Sequence, residues 1–108
     1  MNKTDYFNRN NALAHEQLHF DIVELTGRKI RQRLAAYATA PGHSYHSPEH
    51  DAEIGCLYDE ESDLQLLFDQ ESKAGNDLKA QARWQPYIRR ELNKLRQFES
   101  TAKDCVTP

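Results

Sequence analysis

Two breaks divide this chain into three stretches that each keep a helical repeat, and that pattern constrains the fold more than anything else in it. Pro41-Gly42 is one break and Gly75 is the other. Proline lacks the amide hydrogen a helix needs, and glycine readily takes the left-handed conformation that ends one. Between the breaks, apolar residues recur at three- and four-residue spacing, the repeat of one helix face. No segment alternates convincingly as a half-buried strand does.

The first helix is expected over about 12–38. On a helical wheel Leu18, Ile22 and Leu25 share an arc, with Val23 and Ile30 nearby. Gln17, Asp21, Glu24 and Arg28 take another side. Gly27 weakens the helix by up to about 1 kcal/mol relative to alanine and marks a candidate bend. Residues 39–47 read as a loop. Ser47-Pro48-Glu49 then has the form of an N-cap followed by proline at the first helical position. The second helix is expected over about 48–73, with Ile54, Leu57, Tyr58, Leu64 and Phe68 on its apolar face. The third covers about 77–98, with Leu78, Trp84, Ile88, Leu92 and Leu95 on one stripe. Pro86 lies inside it, so the helix either kinks there or starts near Gln85 after a turn.

These segments predict a mainly α fold. Three helices form a single domain over 1–98, followed by a frayed polar tail over 99–108. The first two helices are expected to be antiparallel because their connection is short. Trp84 and Ile88 of the third pack across them. A small strand or hairpin near Asp5 to Asn10 is the one β element the sequence leaves room for.

At 108 residues there is material for one thin core. The net charge of −3 disfavours general phosphate binding, so no nucleic-acid partner is expected. Arg83, Arg89, Arg90, Lys94 and Arg96 make the last helix locally basic, but Glu91 and Glu99 interleave and a solvated face is the simpler reading. No apolar run approaches the roughly 20 residues of a membrane span. The first residues lack the apolar core of a signal peptide. Cys56 and Cys105 have neither disulfide-framework nor thiolate-zinc spacing.

His15-Glu16-Gln17-Leu18-His19 carries the chemistry. It is the His-Glu-x-x-His pattern of zinc hydrolases. On a helix, His15 and His19 lie one turn apart and reach one metal, while Glu16 polarises a bound water. On the wheel both histidines fall among the apolar residues and Glu16 at their border, near Phe20 and Val23. All three are expected to point inward. The bland alternative is a core-edge histidine pair with Glu16 bridged to an arginine. A metzincin needs glycine at Ile22 and histidine at Leu25, so that subclass is excluded. Glu24 points the opposite way. The third ligand then comes from another element, and the second helix offers Glu61 and Asp69. His43, His46 and His50 form a second cluster, expected to be exposed.

The longer stretch HEQLHFDIVELTGRKIRQRL resembles the bacterial family catalogued as domain of unknown function 922, whose members carry HEQ-x-HFDI-x-E before a basic amphipathic helix. That family's second motif is similar to FDQESKAGNDLKAQARW, where Phe68, Asp69, Glu71, Ser72, Asn76, Gln81 and Trp84 keep their places. The resemblance runs from about Lys3 to Leu95. It implies a zincin-like helical domain, a zinc cofactor (Zn2+) held by His15, His19 and Asp69, Glu16 as general base, and a peptide or protein substrate. It also implies an exported, periplasmic or surface location.

Two departures stand out. The family's second-motif histidine falls on Ala74, and the family's upstream β-rich region has no counterpart here. The resemblance thus describes the helical half of that domain. Two functions follow as expectations: a zinc-dependent hydrolase of the peptidase kind, or a non-catalytic helical interaction module of zincin ancestry.

Overall fold

The computed structural model describes residues 3–40, 42 and 47–100. Three helices carry the fold: α1 over Lys3–Thr39, α2 over Pro48–Ser72 and α3 over Leu78–Lys94. A short 3-10 turn, Arg96–Phe98, follows α3. Among the described residues there is no strand. No helix among the described residues is long and apolar enough to cross a membrane.

α1 begins nine residues earlier than its apolar repeat, at Lys3 rather than Ala12. The segment Asp5 to Asn10, where a strand or hairpin had room, is helical. Nothing between Lys3 and Ala12 is glycine or proline. A helix already nucleated in the apolar region therefore meets no strong breaker as it extends through these residues. It also passes through Gly27 without a break.

α2 starts as its cap predicts. The Ser47 hydroxyl accepts the His50 amide at 3.0 Å, Pro48 stands at the first position, and Glu49 and Asp51 face the positive end of the helix dipole. Its end differs in detail from a simple glycine stop. Lys73 (φ 51°), Ala74 (φ 56°) and Gly75 (φ 94°) are left-handed in succession. The Ala74 amide returns to the Asp69 carbonyl at 2.9 Å, and the Asp77 amide to Ser72 at 2.8 Å. Two non-glycine residues in that region are costly, so the surrounding packing has to hold them there.

α3 is capped by Asp77, whose carboxylate accepts the Ala80 amide at 3.0 Å. It runs through Pro86 as one helix from Leu78, so it does not start near Gln85 after a turn. The hydrogen bond proline cannot give would go to Ala82. Ala82 and Pro86 both lie on the exposed face, where water can serve that carbonyl.

Cross-helix contacts fix the directions. His15 and His19 of α1 meet Asp69 and Gln65 of α2, while Tyr37 meets Glu53. Rising numbers on one helix pair with falling numbers on the other, so α1 and α2 are antiparallel as expected. His15 meets Gln81, Arg28 the Leu92 carbonyl and Arg31 the Phe98 carbonyl, so α3 runs parallel to α1.

Leu18, Ile22, Phe68, Trp84 and Ile88 form the core, with Leu64 and Leu92 packed against it. Each fully buried side chain contributes about 1.5–3 kcal/mol. The 17 residues of α3 span about 25 Å against about 37 Å for the 25 of α2. Among the described residues, the first turns of α2 therefore lie beside α1 and beyond most of α3. Ile54 and Leu57 stay half-buried there, and Tyr58 of the expected apolar face is exposed.

One polar cluster ties α1 to the end of the chain's fold. Glu24 binds Arg28 and Arg31, and also accepts from the amide and hydroxyl of Ser100. Ser100 belongs to the segment expected to fray. The contact with Glu24 orders it, while residues 101–108 lie outside the described residues. Burial pushes the Glu24 carboxyl up. Hydrogen bonds from Arg28 and Ser100 and the charge of Arg31 outweigh that and lower its pKa from 4.5 to about 2.

Two outcomes follow. Gly75 combines a left-handed φ with close approach, since a Cβ there would sit 3.3 Å from His15 Cβ and Cγ. Gly75→Ala is expected to cost about 1–3 kcal/mol in urea unfolding. Glu24 is more acidic folded than unfolded, so its stabilisation is complete above pH 4.5 and is lost as pH falls towards 2. Urea midpoints measured from pH 6 to pH 3 should fall less steeply in Glu24→Gln than in the unaltered protein.

Candidate metal centre

His15 and His19 lie one turn apart on α1, and Gln65 and Asp69 lie one turn apart on α2. Because the helices are antiparallel, the two pairs face each other as a box. His15 Nε2 is 2.9 Å from Asp69 Oδ1 and His19 Nε2 is 2.7 Å from the same oxygen. The two Nε2 atoms are 3.2 Å apart. His15, His19 and Asp69 are the group of potential ligands that converges among the described residues.

Both rings are fixed from behind. His15 Nδ1 donates to Gln81 Oε1 at 3.0 Å, and His19 Nδ1 donates to Gln65 Oε1. The Gln65 amide nitrogen donates to the His19 carbonyl at 3.1 Å, which leaves its oxygen for the ring. Phe68 stacks on His15 with centroids 4.5 Å apart and meets His19 edge-on. Gly75 lies against the other side of His15.

This arrangement settles which nitrogens are available. A neutral imidazole that donates from Nδ1 has a bare lone pair on Nε2. Two such lone pairs and a carboxylate oxygen then face one another and repel. A proton on one ring, shared with Asp69 Oδ1, relieves this, whereas protonating both rings places two cations 3.2 Å apart. One metal ion shared by all three atoms relieves it as well. Tetrahedral zinc with bonds near 2.0 Å holds its donor atoms about 3.3 Å apart. The observed separations of 2.7, 2.9 and 3.2 Å are short of that by a few tenths of an ångström. His19 and Asp69 are only half-buried and can open by that amount.

Asp69 is an acceptor throughout the neutral range. Burial pushes its carboxyl up, but once the rings carry a proton on Nε2 the hydrogen bonds and charge of His15 and His19 prevail and hold it below the usual carboxylate range. Its side chain is 46 % exposed while that of His15 is only 8 % exposed, so the group opens to solvent on the Asp69 side.

The remaining predicted residues fall elsewhere. Glu16 is exposed rather than inward-pointing, as are Phe20 and Val23 beside it. Packed against α2 and α3, α1 buries the arc of His15, Leu18 and Ile22 and leaves the next arc to water. Glu61 lies two turns from Asp69 along α2, opposite Leu25 and Thr26, and lines a different groove. Asp21 is bound by Gln17 at 2.9 Å on an exposed edge. His50 belongs to the first turn of α2 and stacks on Tyr37, while His43 and His46 lie outside the described residues. Ala74 is exposed in the left-handed turn.

Gln65, Gln81, Phe68 and Gly75 are the parts of this centre that motif reading does not assign. A signal for Gln65 exists: its spacing from Asp69 equals that of His15 from His19, as two facing one-turn pairs require.

Comparison with protein-family models, with curated proteins and with solved structures gives no match.

If the glutamines hold the rings in the metal-binding tautomer, Gln65→Ala and Gln81→Ala should each weaken zinc binding by about 10–100-fold. Competition with a chromophoric chelator measures this directly.

Proposed function

We propose that this chain is a zinc-dependent hydrolase acting on peptide bonds. The observation that carries the reading is the convergence of His15 Nε2, His19 Nε2 and Asp69 Oδ1, with both Nδ1 atoms already engaged by glutamine oxygens. Three protein donors with a solvent-open side are the composition of a catalytic zinc site rather than a closed structural one. Bound there, zinc supplies a Lewis acid that acidifies water and stabilises a developing oxyanion.

The chain's own groups supply the rest. Gln65 and Gln81 orient the imidazoles, and Phe68 keeps water from the buried side of His15. Glu16 follows His15 on the helix, is exposed, and has no hydrogen-bond or ion-pair partner among the described residues. Its carboxylate is free to accept a proton from the attacking water. The peptide substrate class comes from the resemblance of HEQLHFDI and FDQES to the family named above.

The same exposure of Glu16 favours a second reading. No residue holds that carboxylate towards the histidines, and no strand among the described residues offers an edge for a substrate backbone. In that reading the metal staples α1 to α2 in a non-catalytic helical module.

Zinc titration of the purified protein separates these ideas. Near-stoichiometric zinc, lost in His15→Ala, is expected in both. Peptidase activity abolished by Glu16→Gln with zinc retained supports the hydrolase, and full zinc without activity supports the module. A protein that stays metal-free at saturating zinc would sink both.

A further inference from the structure

The charges of this protein are sorted by helix. α2 carries nine aspartates and glutamates and no lysine or arginine. α3 carries five lysines and arginines against one glutamate. Few of these groups pair within the molecule. Arg83, Arg90 and Asp63 are exposed and have no ion-pair partner among the described residues. Side-by-side helices of opposite charge would normally interlock across their seam. Here the charges flank that seam on its outer side, and the seam itself is apolar.

Leu64 and Leu67 of α2 with Trp84 and Tyr87 of α3 line a groove, with Glu71 on one wall and Arg83 on the other. Leu67 is 44 % exposed and Tyr87 39 % exposed. Its volume of about 290 Å³ has room for side chains but not for another helix inside it. An occupant must lie across the groove and match acid on one side and base on the other.

Spacing makes the two walls stripes. Arg83, Tyr87 and Arg90 follow one another at i, i+4 and i+7 on α3, and Asp63, Leu67 and Glu71 at i, i+4 and i+8 on α2. The bond from Trp84 Nε1 to Glu71 Oε1 at 2.9 Å sets the relative height of the helices. Glu71 therefore stands level with Arg83, Leu67 with Tyr87, and Asp63 with Arg90. A surface with acid, apolar seam and base in that order is complementary to itself when turned by 180° about an axis along the groove. α2 then lies over α3 of the second copy, and α3 over its α2.

We propose that this face binds a second copy of the chain as a two-fold dimer. Glu71 meets Arg83 and Asp63 meets Arg90 across the axis, while Leu67 and Tyr87 of both copies close the groove. Phosphate polymers do not fit the basic stripe, because the acidic wall beside it repels them. The histidine pair faces the α1–α2 seam, so the dimer neither requires nor covers the metal centre.

Sedimentation equilibrium of the full chain at low salt tests this. A dimer that weakens with added salt is expected. Asp63→Lys and Arg90→Glu should each raise its dissociation constant by at least about tenfold, through like charges facing each other. An equimolar mixture of the two variants should dimerise again, since each then meets the opposite charge of the other. That recovery also shows both variants are folded. A chain that is monomeric at every concentration, a dimer indifferent to both substitutions, or a mixture that does not associate overturns the proposal.

Discussion

Everything around the candidate centre depends on one electrostatic conflict, the meeting of two imidazole nitrogens and a carboxylate oxygen within 3.2 Å. Acceptors so close demand a positive charge between them. Gln65 and Gln81 take the ring hydrogens on the opposite nitrogens, which leaves both Nε2 atoms free for either a proton or a metal ion. A half-satisfied polar cluster beside a core as thin as this one is expensive. Metal binding would turn that cost into a cross-link between α1 and α2.

The turn after α2 belongs to the same construction. Three successive left-handed residues bring Gly75 against His15, then release the chain into α3 so that Gln81 arrives behind the same ring. Phe68 connects the two tasks: it stacks on His15 on one side and packs against Trp84 on the other. Core and candidate site are therefore not separable. At the opposite end, Arg28 and Arg31 reach carbonyls at and beyond the end of α3, where helix geometry leaves acceptors unpaired. Glu24 holds both arginines in place.

Much of the architecture was legible in the chain. Three helices, the Ser47 cap, the antiparallel first pair and the packing of Trp84 and Ile88 all follow from periodicity and turn chemistry. Those are local rules, and they placed the helices while missing the nine residues by which α1 starts early. They failed where neighbours decided. The apolar arc of Phe20 and Val23 looks like core on a wheel, yet among the described residues α2 and α3 pack on the other side of α1 and that arc stays in water. Likewise Glu61 looks inward on α2, but the antiparallel register sets it opposite Leu25 and Thr26 rather than the histidines.

Local periodicity is enough to place the helices, their order and the one-turn spacing that makes His15 and His19 a pair. This is so because hydrogen bonding and side-chain direction within a helix depend on residues three and four positions apart. Only the tertiary structure decided which carboxylate meets them, that glutamine oxygens stand behind both rings, and that Glu16 faces solvent. Those relations join residues 46 to 66 positions apart in the chain. They depend on helix direction and register, which no local repeat encodes.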